Sequence, residues 1–215
     1  MIKIETEWAI SQKNVSRVEA ETDPDNQPSM NVLAKAGFIP TGETGEEGPR
    51  FVFARKIAIV LASEEDRQQI LDLYEEQKGR EFCPWAENYP SNETIDFDLS
   101  RKALFVMKED GKIIAAISID EDEDVNSLEC WDRALFPGGE LARLAVTPSR
   151  QNKGYARMMM QHGMDSLKER GYKSIHFLVN KHNVKAIKSY DVFRFNVVGE
   201  CHMFDQDFWC YEKEL

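Results

Sequence analysis

No apolar run in this chain approaches the ~18 residues that a membrane-spanning helix needs, and its start, Met1-Ile-Lys-Ile-Glu5, lacks a signal-peptide pattern. The expectation is a cytoplasmic protein with no membrane partner. Cysteine is sparse and scattered, at Cys83, Cys130, Cys201 and Cys210, with no C-x-x-C pair. Reduced thiols are expected, neither disulfides nor zinc ligands. The four histidines, His162, His176, His182 and His202, have no metal-ligand spacing, so no metal is expected. Positive charge is also short: 27 Lys and Arg stand against 38 Asp and Glu, for a net charge of −11. Such a surface argues against nucleic acid, whose phosphates require a basic face. No G-x-G-x-x-G or Walker pattern appears, which disfavours a general nucleotide-binding fold.

With 42% hydrophobic residues among 215, the chain has enough apolar matter for one sizeable core, or one domain and a fragment. Its most informative stretch runs from Leu141 to Ala156: an apolar strand, a short polar loop and a helix that begins at Gly154 and continues to Arg170. A loop of this kind gathers backbone N–H groups at a helix start, where phosphates bind. Glycine at 154 lets a bulky anion approach the main chain. Arg150, Lys153 and Arg157 add positive charge around it.

Gln151-Asn152-Lys153-Gly154-Tyr155-Ala156 resembles the Q/R-x-x-G-x-G/A signature of the GNAT acetyltransferases. A strand follows at Lys173–Val179, and Asn183-Val-Lys-Ala186-Ile-Lys-Ser-Tyr190 then looks like the N-x-x-A-x-x-x-Y helix of that family. The resemblance covers roughly residues 57–215. It implies an α/β (α+β) acyl-CoA N-acyltransferase fold, with a mixed central sheet flanked by helices and the element order β-α-α-β-β-β-α-β-α-β-β. Its first strand is expected at 56–62, and Ser63 is expected to cap the next helix. A loop follows at Phe82–Pro90, Asn92 caps a second helix, and Glu109-Asp-Gly111 makes a hairpin turn.

Residues 1–57 resemble a back half of the same fold, and residues 58–215 the complete domain. Asn26-Gln-Pro-Ser29 falls on Asn183–Ala186 when the chain is shifted by 157 positions, and Phe38, Gly42 and Phe51 then fall on Phe195, Gly199 and Phe208. The expected elements are a helix at 2–12, a strand at 15–21, a helix at 28–36 and strands at 38–44 and 50–56. Ile4 and Trp8, four apart, mark the apolar face of the first helix. With neither front strands nor a phosphate loop, this piece would not bind coenzyme. An edge and an apolar face of its sheet would lie open, to be covered by the complete domain or by another subunit, as in a homodimer.

The resemblance implies acetyl-CoA as co-substrate, an amine of a small molecule or peptide as acceptor, and no metal. Coenzyme contacts are expected from Leu144, Ala145, Val146, Gln151, Asn152, Lys153, Gly154, Tyr155 and Ala156, with the Val146 N–H as oxyanion donor. Asn183 would bond the coenzyme arm, cap its helix, or do both. Tyr190 is the expected acid that protonates the leaving thiolate. Glu140, eleven residues before Gln151, is either the general base or an exposed acid in a glycine turn. Trp85, Glu87, Tyr89 and Trp131 line the acceptor pocket or close a core. One departure from the pattern is Arg194 where the family has a glycine; it removes an easy left-handed helix stop, with a shifted following strand as one outcome. The competing function is a non-catalytic acyl-CoA sensor or interaction protein.

Overall fold

A computed structural model describes residues 2–12, 15, 17–54, 57–81, 83 and 85–215. Residue 16, the expected strand positions 55 and 56, and the loop residues Phe82 and Pro84 lie outside the described residues. The chain divides into two units, 1–57 and 58–215.

The first unit runs α1 (Ile2–Ser11), β1 (Arg17–Glu21), α2 (Gln27–Ala36), β2 (Ile39–Thr44) and β3 (Pro49–Ala54). The three strands form an antiparallel sheet in the order β1-β3-β2. Alternation along the strands turns Val18, Ala20, Phe51 and Phe53 to one face. There they pack with Leu33, Ala36 and Phe38. The register pairs Arg17, Glu19 and Glu21 with Ala54, Val52 and Arg50 on the other face. Arg17–Glu19 and Arg50–Glu21 are ion pairs there, at 2.7 and 2.8 Å. The face expected to be open and apolar is thus a mixed one, on which Val52 and the exposed Ile39 pair beside these charges. Helix α1 also turns the other way from expectation. Thr6 and Ile10 are buried, while Ile4 and Trp8 are 72% and 67% exposed. The Thr6 hydroxyl donates to the Ile2 carbonyl at 2.8 Å, so it enters the interior already satisfied.

The second unit begins with β4 (Ile57–Leu61) and a short turn of helix over Glu64–Asp66, followed by α3 (Arg67–Glu75) and α4 (Asn92–Ser100). Ser91, rather than Asn92, caps α4: its side chain accepts from the Thr94 N–H. Next come β5 (Leu104–Glu109), β6 (Lys112–Asp120), the one-turn α5 (Glu123–Asn126), β7 (Gly138–Val146) and α6 (Tyr155–Glu169). The unit ends with β8 (Ser174–Asn180), α7 (Val184–Tyr190), β9 (Asn196–Met203) and β10 (Gln206–Glu214). The sheet order is β4-β5-β6-β7-β8-β10-β9, in which β7 and β8 run parallel and the pairs β5–β6, β6–β7, β8–β10 and β9–β10 antiparallel. This is the mixed α/β sheet flanked by helices that the sequence implies.

Ile70, Leu73 and Tyr74 of α3 and Ile95 of α4 pack on Leu104, Val106, Ala116 and Ala145 at one face of this sheet. Helix α6 covers the other. Gly163 lets it approach so closely that a Cβ there would lie 2.7 Å from Leu141. Leu141 and Ala145 are four apart on one strand, yet they serve opposite faces. A bulge between them makes this possible. Ser118 pairs with Ala142 but Ala116 with Ala145, so β7 spends one extra residue there.

The strand–helix–strand–strand set at the end of this unit repeats the first unit. β8, α7, β9 and β10 start at 174, 184, 196 and 206, each 157 positions after β1, α2, β2 and β3. Asn26 and Asn183 cap α2 and α7 with matching backbone, φ −86° ψ 66° and φ −82° ψ 69°. The hairpins differ: β2 and β3 join across Gly45–Gly48, whereas β9 and β10 join across Phe204 and Asp205 alone.

Candidate active site

The bulge residue of β7 is Arg143, with φ +53°. Beyond it the strand parts from its parallel neighbour, since β7 pairs with β8 only from Gly138 to Glu140. Hydrogen bonding to β6 continues on the other side. The Thr147 N–H donates to the Ile114 carbonyl at 2.9 Å, and Val146 pairs with Ala115. In an antiparallel ladder the bonded and non-bonded pairs alternate. Thr147–Ile114 is a bonded pair, so by alternation Ala145–Ala116 is one too, and the main-chain groups of Val146 and Leu144 face away from β6. Of the three strand residues expected to meet coenzyme, Ala145 does not fit. Its main chain serves β6 and its side chain lies in the core.

The loop after β7 is built to hold this geometry. A tight turn over Pro148–Arg150 leads to Gln151, whose amide donates to the Val146 carbonyl at 3.1 Å and accepts from Arg80 at 3.2 Å. Gln151 thus ties the loop to the strand end, and its side chain is engaged within the protein. Asn152 and Gly154 both take positive φ, 60° and 85°. Gly154 is also the N-cap of α6, where no side chain closes the helix start. A Cβ at Gly154 would meet no protein atom within 4 Å. Open space over an uncapped helix start with left-handed turns beside it suits a pyrophosphate. Arg150 does not contribute a free charge, because its guanidinium is bound by buried Glu109 at 2.7 Å.

Tyr190 is the last residue of α7 and is buried, edge-on to Phe177 at 5.1 Å between ring centres. Burial, with a smaller contribution from Tyr211, raises its pKa, so the phenol keeps its proton. Asn183 accepts from the Ala186 N–H at 3.0 Å and caps α7, one of the two roles expected of it.

Glu140 is not an exposed turn residue. It is only 5% exposed and pairs across the ladder with Asp120. Its Oε2 accepts from the Asp122 N–H at 3.3 Å. Burial first, then the charges of Asp120 and Asp122, push its pKa up to about 8. Arg143 lies beside it, its guanidinium donating to Asp98 at 2.8 and 3.0 Å, to the Tyr89 hydroxyl at 3.0 Å and to Asp120. Ser118 donates to Asp98 at 2.6 Å. None of Asp98, Ser118, Asp120 or Arg143 is among the site residues expected from the sequence. Ser118 carries a signal there, as a polar side chain inside the apolar run of β6.

The four aromatic and acidic candidates of the acceptor side separate. Tyr89 is partly exposed and bonded to Arg143, so it joins the Glu140 neighbourhood. Trp85 stands between Tyr74 and Tyr89, edge-on to both at 5.4 and 6.4 Å. Glu87 is exposed, and its carbonyl accepts from Lys78 at 2.8 Å. Trp131 closes a core instead. Its indole N–H donates to the Val125 carbonyl at 2.7 Å and its ring lies 4.7 Å from that of His176. Three of the four cysteines, Cys130, Cys201 and Cys210, meet in that same apolar cluster. They are free thiols.

A central strand that parts from its neighbour, followed by a glycine-bearing loop at an uncapped helix start, is the arrangement expected of a coenzyme-dependent acyltransferase. Comparison with known proteins agrees. The acetyltransferase (GNAT) family profile matches residues 67–195, and the chain belongs to that family. It is thus an N-acetyltransferase, for which acetyl-CoA is the co-substrate. Similar folds include yncA, a putative acetyltransferase from Salmonella typhimurium with acetyl-CoA, at TM-score 0.61 and 16% identity over 74% of this chain and 94% of that one. PaiA N-acetyltransferase from Thermoplasma acidophilum, in complex with coenzyme A, has TM-score 0.58 and 18% identity over 74% and 99%. The ribosomal-protein-S18-alanine N-acetyltransferase of Escherichia coli has TM-score 0.56 and 19% identity over 74% and 94%. None of the curated proteins matches by sequence.

Proposed function

We propose that this protein transfers the acetyl group of acetyl-CoA to a primary amine of a small molecule or peptide, by direct attack within a ternary complex. The observation that carries the reading is the opening between β7 and β8, into which Leu144 and Val146 turn their main-chain groups, ending at the Gly154 loop. Acetyl-CoA brings the activated thioester. The loop amides at Asn152–Ala156 hold the pyrophosphate, with Lys153 at the same bend, and the β7 edge aligns the pantetheine arm as an added strand would. The Val146 N–H steadies the developing oxyanion, a contribution of about 3 kcal/mol for one preorganised donor.

Glu140 takes a proton from the attacking amine as the N–C bond forms. The C–S bond breaks, and the phenol of Tyr190 returns a proton to the thiolate. Trp85, Glu87 and Tyr89 form the acceptor side. Residues 1–57 are a partial copy of the fold's back half, supported by the common element starts and matching asparagine caps. Leu33 stands where Tyr190 would fall in that copy, so it has no acid of its own.

Thiol release from acetyl-CoA across a panel of amines and peptides tests the reading. Turnover with at least one amine, strongly reduced in Glu140→Gln and Tyr190→Phe, is expected. Tight coenzyme binding without turnover on any of them would leave a sensor instead.

A further inference from the structure

We infer that Asp120 and Arg143 are positioning residues for Glu140: Arg143 holds Asp120 charged, and that fixed charge governs whether Glu140 keeps its proton. The inference rests on the proposed role of Glu140 as base and adds what controls it. Asp120 and Glu140 are direct partners across the β6–β7 ladder, which places their side chains on one face about 5 Å apart at Cβ. The two carboxyls have unlike surroundings. Asp120 accepts from Arg143 and from the Glu121 N–H at 3.0 Å, and Arg101 lies 3.8 Å away. Burial is the largest single influence and works against its charge, but Arg143, the Glu121 N–H and Arg101 together outweigh it and leave Asp120 below the ordinary aspartate value.

Among the described residues, Glu140 has no cation of its own. The groups that face it are Asp120 from β6, Asp122 from the start of α5, Arg143 from β7, Tyr89 from the loop before α4, and His176, its register partner on β8. Arg143 is committed to Asp98 and Asp120, with Arg101 contacting the same two carboxylates. His176 is no substitute: burial lowers its pKa to about 4, and its Nε2 pairs with Asn126 Oδ1 at 2.8 Å. Two adjacent carboxyls driven apart in this way divide their roles, one remaining charged and one exchanging a proton.

Asp120→Asn removes the fixed charge while Asp98 still pairs with Arg143, so no buried guanidinium is orphaned. Carbon-13 titration of glutamate carboxyls in the full chain reads the effect, with Glu140 assigned as the resonance missing from Glu140→Gln. Asp120→Asn should lower the Glu140 midpoint by about one pH unit, and Asp120→Glu should restore it to near wild type. The acid limb of thiol release should move by the same amount and in the same direction. An unchanged midpoint in Asp120→Asn would overturn the inference, as would an equal fall in Asp120→Glu, which would make packing the cause. Should Glu140 titrate as expected while Glu140→Gln turns over normally, the base assignment fails and the coupling stands.

Discussion

Arg194 occupies the left-handed position that Gly37 fills 157 residues earlier. Gly37 ends α2 at φ 97°, and Arg194 follows α7 at φ 53°. Losing the glycine did not shift the next strand, since β9 starts where the repeat requires. The arginine instead bears a conformation that costs an L-residue roughly 1–2 kcal/mol. Arg194→Gly relieves it but loosens the unfolded chain by ~0.4–1 kcal/mol. A net gain of up to about 1.6 kcal/mol is expected, read as a raised denaturant midpoint at unchanged slope.

Gly154 is the residue whose replacement tests the proposed coenzyme loop most directly. Replacement by valine strains a φ of 85°, while its Cβ meets no protein atom within 4 Å. The fold should survive with a loss of about 1–2 kcal/mol, while the new side chain projects into the space assigned to the pyrophosphate. Calorimetric titration should find acetyl-CoA affinity weaker by at least about 100-fold, or roughly 3 kcal/mol. Wild-type affinity in this variant would remove the phosphate site.

Much of the fold is legible in the chain because its signals are local. Asn26 and Asn183 announce helix starts, Gly111 a hairpin, and alternation the strands. The opening beside β7 can also be located, since Gly154 and the polar loop mark its end. What stays hidden depends on contacts distant in sequence. Trp131 reads as a loop aromatic, but α5 and β10 close over it as core. Ile4 and Trp8 have the spacing of a buried face, yet spacing does not say which face of a helix meets the sheet. Arg143 is inconspicuous because a charged residue in a strand reads as solvent-facing until a bulge and Asp98 are known.

Tyr190→Phe tests the acid. The ring keeps its edge contact with Phe177, so packing changes little. Turnover should fall about 100-fold or more, the scale of a lost general acid, with acetyl-CoA affinity within about two-fold. A variant that loses affinity but keeps its rate would place the hydroxyl in binding rather than proton transfer.

Glu140→Gln should lower turnover and raise stability, and the second effect depends on pH in a definite sense. The folded carboxyl has a pKa of about 8, against 4.5 for an ordinary glutamate such as the unfolded chain presents. Below the lower value both folded and unfolded chains carry the proton, and Glu140 imposes no penalty. As pH rises from there to about 8, the unfolded chain ionises while the folded one holds its proton, so the native state loses stability. Above pH 8 the penalty is complete, on the order of 5 kcal/mol before relaxation. Glutamine does not ionise and escapes it. Denaturant melts should therefore find the two proteins similar at about pH 4 and the variant clearly more stable at about pH 8. Wild-type turnover should show the opposite trend, climbing toward pH 8 as the base loses its proton. A stability difference independent of pH would mean that Glu140 is ionised in the folded protein at neutral pH, and burial beside Asp120 and Asp122 would not then govern its charge.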